Sequence, residues 1–440
     1  MSATTQPRRV LTRDEWTRLA GEASPPLLAL WADTREVYAL LRDGTAPLLV
    51  STEVEDGGYP ALSPSRPAAV WFERMVRDLW GHTAIGGLDP RPWLDHGHWP
   101  IRAPLALHPG PPGRSEAPEF LFPAEFDQLP LGPVRGGIEP AAHLRFGIRG
   151  ETIARLEARL GYTHKGTLTL MRGKSPRAAA RFAARLAGEA TVAHSIAFAR
   201  AAEAALACEV PARALVWRDV MAELERIAGH LDTLAAMAEA TGTEVAATRF
   251  AWHGEAIRRA ANLAFGHRLM MDCVVPGGVA TDIAPGGSEE IDRVLSAVAA
   301  ELPVLQLSAT RLSGVGVVTF GLAEQFAARP GDAETRARDL LSAIEAGIRQ
   351  THNLLGAAPE GAVAVPLPAA SGEGIGSAHG PGGEIWHWLR LDYGQIVSLF
   401  LCDPAWVHLP LLEAIMAGAQ VEDAPLVLAS FGLSSSGMDL

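Results

Sequence analysis

The sequence predicts an α+β fold in which a small α+β N-terminal domain precedes a mainly α-helical domain with peripheral strands. Three observations predict it. Short apolar runs separated by turn residues crowd the first ~115 residues. A passage rich in proline and glycine follows them. Long stripes of apolar residues at helical spacing then fill most of what remains.

In chain order, Leu27 to Trp31, Val37 to Leu41 and Pro47 to Ser51 read as strands of one sheet. A helix is predicted from Pro67 to Leu79, where Trp71, Met75 and Leu79 recur in steps of four. Seven prolines between Leu107 and Gly137 read as a linker that blocks regular structure, which places the domains at residues 1–115 and 116–440. His143 to Ile148 and Thr152 to Leu160 fit a hairpin turning at Gly150. From Pro211 to Thr241 the residues Val220, Leu224, Ile227, Leu231 and Leu234 form one buried stripe, with Pro211 at the helix start and Gly242 as its stop. Further helices are expected at about 244–271, 287–303 and 333–355. The glycine cluster Gly372, Gly374, Gly376, Gly380, Gly382 and Gly383 lacks the strand-then-helix setting of a dinucleotide loop, and reads as turns leading into a strand from Glu384 to Asp392.

Composition narrows the function classes. At 440 residues and 48% hydrophobic content the chain can bury a large core, and a formal charge of -12 excludes a general nucleic-acid binder. Cys208, Cys273 and Cys402 show no paired spacing, so neither a disulfide framework nor a zinc site is expected, and a reducing compartment fits. Met1 to Asp14 carries arginines but no apolar run of a signal peptide. No stretch approaches the ~20 apolar residues that cross a bilayer, so any link to a membrane should come through a partner.

Several words of the sequence resemble known families. Tyr59-Pro60-Ala61-Leu62-Ser63-Pro64, Ala68 to Arg74, Asp78-Leu79-Trp80-Gly81 and Gly97 to Arg102 resemble, in order and spacing, the C subunit of NADH-quinone oxidoreductase (complex I). Glu139-Pro140-Ala141-Ala142-His143, Gly161 to Gly166, Glu209 to Ala214 and Glu223 to Leu231 resemble both the D subunit of complex I and the large subunits of formate hydrogenlyase and hydrogenase-4. Those large subunits also place a C-like domain ahead of a D-like one.

In the same superfamily the NiFe-hydrogenase large subunits hold their metals with two C-x-x-C pairs. Here the first resembling segment, Ala184 to Ser195, has Ala187 and Ala190 in the cysteine places. The second, Ala424 to Gly437, has Ser434 and Gly437 there. Thiolates are the ligands that hold such metals, and alanine and glycine side chains offer no donor atom. The word that would carry a proton-relaying glutamate reads Lys165-Gly166-Thr167-Leu168-Thr169, with apolar Leu168 in the carboxylate's place. His194, after the first pair of lost ligands, reads as a core histidine rather than a ligand. The His96-Gly97-His98 run beside Asp95 reads as a loop, not a metal site.

The resemblance implies a peripheral-arm subunit of a membrane-associated respiratory or energy-converting oxidoreductase, active only within its complex and without a NiFe centre. It implies no cofactor bound by this chain, allows a quinone, and places an iron-sulfur cluster on a partner. The implied partners are a small iron-sulfur protein like the B subunit of complex I and membrane subunits, some antiporter-like; nucleic acid is not among them. The implied location is cytoplasmic, at the inner face of the cell membrane. His143 matches the D-subunit histidine that addresses the quinone headgroup. The tyrosine that accompanies it would fall on Gly188, and the acidic residue that orients it near Ala240, with Glu239 adjacent. The alternative is a non-catalytic scaffold that holds the complex together and transmits conformational change. An open apolar chamber at His143 would favour redox chemistry, and a filled one the scaffold.

Overall fold

The computed structural model describes residues 8–44, 46–115, 120–122, 125–134, 140–305, 307, 309–432 and 434–440. Met1 to Pro7, parts of the expected linker (Pro118, Pro123 and Gly137 among them), Glu139 and Leu433 lie outside the described residues.

The N-terminal region opens with β1 (Arg9–Val10) and α1 (Arg13–Gly21), whose start is fixed by a capping box between Thr12 and Glu15. Strands β2 (Leu27–Ala32), β3 (Glu36–Asp43) and β4 (Ala46–Glu53) follow as an antiparallel meander, and β1 joins it in parallel, giving the order β1-β4-β3-β2. Every residue of β2 is buried, because the sheet is covered on both faces. The pair β5 (Gly58–Pro60) and β6 (Thr83–Ile85) flanks α2 (Ala69–Trp80), which ends at Gly81 in the left-handed conformation.

Next comes a second sheet of β7 (Asp127–Leu131), β8 (His143–Arg149) and β9 (Thr152–Arg159). Strand β7 corrects the expectation that the proline-rich passage forms no regular structure. Pro130 is tolerated because β7 is the exposed edge of its sheet.

The helical part runs α3 (Thr167–Met171), α4 (Pro176–Ala183), α5 (Thr191–Ala205), α6 (Ala212–Ala240) and α7 (Glu244–Phe265), then the small hairpin of β10 (Val274–Val275) and β11 (Gly278–Val279). It continues through α8 (Gly287–Glu301), α9 (Ala309–Leu312), α10 (Phe320–Gln325) and α11 (Ala333–Gly356). The predicted α6 stripe of Val220, Leu224, Ile227, Leu231 and Leu234 is fully buried, against α7 on one side and α11 on the other. Helix α7 stops six residues before the expected end, where Gly266 adopts φ +83° and returns its N–H to Asn262 O.

Strands β12 (Gly372–Gly380), β13 (Gly383–Asp392) and β14 (Gln395–Cys402) form a third antiparallel sheet, followed by α12 (Ala405–Met416) and α13 (Ala424–Phe431). The glycine cluster is thus mostly strand, not turns. Its alternate glycines lie directly on the backbone of the alanine-rich α5: a Cβ on Gly372, Gly374 or Gly376 would meet the carbonyl oxygen of Ala205, Ala201 or Ala197 at 2.0, 2.2 or 2.3 Å. Only glycine permits that approach.

The first region and the end of the chain share one core. Trp31 of β2 stacks on Phe400 of β14 at 5.2 Å and lies 5.6 Å from Trp388 of β13, while Phe72 of α2 stacks on Trp406 of α12 at 5.1 Å. A polar seam runs beside it, with Arg390 donating to Asp33 (2.7 Å) and to the Tyr38 hydroxyl (2.5 Å). A second cluster fills the space among α5, α6, α7, α8 and α11.

Candidate functional site

The two segments that resemble metal-binding words lie side by side. Ala187 and Ala190 are buried ahead of α5, and Ser434 and Gly437 are buried after α13. Lys165 joins them. Its ammonium donates to Leu186 O at 2.7 Å, to Ser436 O at 2.7 Å and to Ser436 Oγ at 2.8 Å, and Ser436 Oγ in turn donates to Leu186 O at 2.9 Å. Asp439 accepts from the Lys165 backbone N–H at 3.1 Å and contacts His164 Nδ1 at 3.3 Å.

Beneath these segments runs a buried polar chain. His194 Nε2 lies 3.0 Å from Asp403 Oδ2, His194 Nδ1 lies 2.9 Å from His387 Nε2, and His387 Nδ1 has no hydrogen-bond partner among the described residues. Asp403 Oδ1 also accepts from Ala405 N–H at 2.8 Å, fixing the carboxylate at the start of α12. Burial, together with His194, holds the pKa of His387 well below the ordinary histidine value, so this ring is neutral.

The residues present do not fit a thiolate-held metal. Ala187, Ala190 and Gly437 have no side-chain donor, and Ser434 Oγ accepts from Ser436 N–H at 3.2 Å. Among the described residues no three His, Cys, Asp or Glu side chains gather as a metal ion would require. Leu168, in the glutamate's place, is 1% exposed and belongs to the apolar core.

A different carboxyl is buried nearby. Glu225 of α6 accepts from Val192 N–H at 2.5 Å and Ala193 N–H at 2.8 Å, the free donors at the start of α5. Burial pushes its pKa up to about 8. With Gly188, Leu224, Ala228 and Ile257 it lines a cavity of about 30 Å³. The sequence words did not reveal this cap, because its donors precede Glu225 by some 30 residues.

His143 opens β8 and is 8% exposed. Its Nδ1 lies 3.2 Å from the Tyr162 hydroxyl, the Phe120 ring meets it edge-on at 5.0 Å, and Nε2 is buried with no hydrogen-bond partner among the described residues. The Phe120 and Tyr162 rings flank the imidazole. Burial pulls its pKa below the ordinary value, and the guanidiniums of Arg145 and Arg159 add to the effect. The hydroxyl beside His143 belongs to Tyr162, in the loop after β9, and a Cβ on Gly188 would meet nothing within 4 Å. Glu239 is exposed at the end of α6 and is not the orienting partner of His143, which is bonded to Tyr162 instead.

The Asp95 to His98 loop has a structural explanation. Asp95 Oδ1 accepts from the N–H groups of Gly97, His98 and Trp99, while His96 is buried between Leu160 O (3.0 Å) and Arg159 Nη2 (2.6 Å). Burial and the Arg159 charge pull His96 down to about 4, so the ring is a neutral acceptor for the guanidinium.

A family model described as nickel-dependent hydrogenase matches residues 165–233, the stretch from Lys165 through α5 to Thr233. The chain is 26% identical over 436 residues to hydrogenase-4 component G of Escherichia coli (strain K12), covering 89% of this chain and 78% of that protein. It is 30% identical over 202 residues to the D subunit of NADH-quinone oxidoreductase of Rickettsia bellii (strain OSU 85-389), covering 45% and 51%. By these matches the chain is similar to NiFe-hydrogenase large subunits and to NADH-quinone oxidoreductase D subunits. Its fold is also that of a chain in the structure of the membrane-bound sulfane sulfur reductase, an archaeal respiratory membrane complex. That match has a TM-score of 0.65 at 18% identity and covers 72% of this chain and all of the other. Among the described residues no helix is long and apolar enough to cross a membrane.

Proposed function

We propose that the chain is a peripheral-arm subunit of a membrane-associated oxidoreductase complex, with residues 1–115 as a C-subunit-like part and 116–440 as a D-subunit-like part. In this reading it works without a NiFe centre and offers His143 to a quinone. An iron-sulfur partner supplies the electrons, and membrane subunits, some antiporter-like, anchor the arm at the inner face of the cell membrane.

The observation that supports the quinone role is His143 Nε2, buried with no hydrogen-bond partner among the described residues. In this reading the Tyr162 hydroxyl, 3.2 Å away, donates to Nδ1, which puts the proton of the neutral ring on Nε2. A buried donor without an acceptor is costly, and a quinone carbonyl would satisfy it. The chemistry asked of this chain is to bind and orient the headgroup and to hold one proton at Nε2.

A second reading, the non-catalytic scaffold, draws support from the Phe120 and Tyr162 rings that flank His143 and from the tie that Lys165 makes between the former ligand segments. One experiment separates the two. In the assembled complex His143→Ala should lower quinone-dependent turnover by about fivefold or more, the loss expected when a carbonyl forfeits ~1–3 kcal/mol of hydrogen bonding, while assembly is retained. Unaltered quinone turnover in that variant leaves the scaffold as the function.

A further inference from the structure

The absence of thiolates leaves open whether the former pocket survives as an unused cavity. We infer that this chain has filled it with its own charged groups: the Asp403 carboxylate takes the space of the fourth ligand from within, and the Lys165 ammonium ties the two segments from outside. Restoring the four cysteines would therefore not restore a metal site.

The inner closure rests on distance. A Cβ built on Gly437 would lie 2.3 Å from Asp403 Cγ and 2.4 Å from both its Cβ and Oδ2, so a cysteine there cannot be accommodated beside the carboxylate. Nor is Asp403 free to swing aside. Its Oδ2 is held by His194 Nε2 at 3.0 Å and its Oδ1 by Ala405 N–H at 2.8 Å.

The outer closure rests on a match of donors to acceptors. An ammonium has three N–H bonds, and Lys165 spends them on Leu186 O, Ser436 O and Ser436 Oγ. These acceptors belong to the residues immediately before Ala187 and Gly437, so the tie spans both former ligand segments. The chain has 38 Lys and Arg residues, of which only Lys165 and Lys174 are lysines. A guanidinium spreads its N–H bonds in one plane, whereas an ammonium directs all three from a single atom. Lys165 itself is exposed, which puts the tie at the rim and Asp403 at the floor.

The test uses the full-length chain and Co²⁺ as the probe. The variant Ala187→Cys/Ala190→Cys/Ser434→Cys/Gly437→Cys should show no stoichiometric thiolate-to-cobalt charge-transfer absorption, and adding Asp403→Gly should produce it. Binding of one Co²⁺ per chain by the four-cysteine variant overturns the inference. So does failure of the five-substitution variant to bind, because Asp403 would then not be the obstruction. If the cysteine variants do not fold, amide exchange of Lys165→Met decides. Exchange at residues 187–190 and 435–438 should quicken about tenfold, with Lys165→Arg only partly protective, and unchanged exchange in both segments overturns it.

Discussion

Arg218 of α6 and Glu203 of α5 form a bidentate ion pair, at 2.5 and 3.0 Å, with side chains only 1% and 5% exposed. The pair also organises backbone: Arg218 donates to Val275 O and Gly278 O, and Glu203 accepts from Gly277 N–H. It thereby fixes the β10–β11 hairpin against two helices.

Arg218→Met leaves Glu203 charged and buried, at a cost of about 3–5 kcal/mol. Chemical denaturation should show that loss. The double variant Arg218→Met/Glu203→Gln should recover part of it, and a double variant no better than the single one would show that the backbone bonds, not the stranded charge, dominate.

Gly374→Ala should be strongly destabilising, because the new Cβ would lie 2.2 Å from Ala201 O and 2.4 Å from Ala205 N. Separating β12 from α5 to make room costs at least the ~1–3 kcal/mol typical of overpacking. Gly21→Ala is the control, since nothing lies within 4 Å of its Cβ. Thermal melts of the two should diverge by several degrees, and equal melting temperatures would refute the direct strand-on-helix contact.

This contact also marks what the sequence made legible and what it did not. Strands β2, β3 and β4, helices α2 and α6 and the hairpin β8–β9 follow from local periodicity, which residues near in sequence report. The role of Gly372, Gly374 and Gly376 depends on a helix some 170 residues earlier. The signal was there in the four-residue spacing of Ala197, Ala201 and Ala205, but only when both segments are read together. The substituted ligand positions were legible because the flanking words survive. His387 and Asp403 as partners of His194, 193 and 209 residues away, were not, and neither was Tyr162 beside His143.

Glu413 of α12 sets a pH dependence. Its Oε1 accepts from Ala158 N–H at 2.7 Å, and burial pushes its pKa up to about 8 from an ordinary 4.5. Between those values the folded chain keeps a proton that the unfolded chain releases, so stability falls as pH rises through this window by up to about 1.4 kcal/mol per unit. Glu413→Gln keeps the acceptor and removes the titration. Denaturation midpoints from pH 5 to 8 should fall less steeply in the variant, and parallel slopes would place the proton elsewhere.

Tyr162→Phe removes the hydroxyl beside His143 Nδ1 while keeping the ring. On the quinone reading it frees the imidazole to adopt either tautomer, so quinone-dependent turnover of the assembled complex should drop several-fold with little change in assembly. An unaffected rate would mean that Tyr162 serves packing alone.

The seam between Asp33 and Arg390 joins residues 357 positions apart, and Trp31 is covered by side chains from the same late stretch. During translation the β2–β4 sheet is therefore made long before its covering surface leaves the ribosome. Such distant pairings slow folding and leave apolar strands open to self-association meanwhile. The apolar face of β2 therefore stays uncovered until β13 and β14 are synthesised.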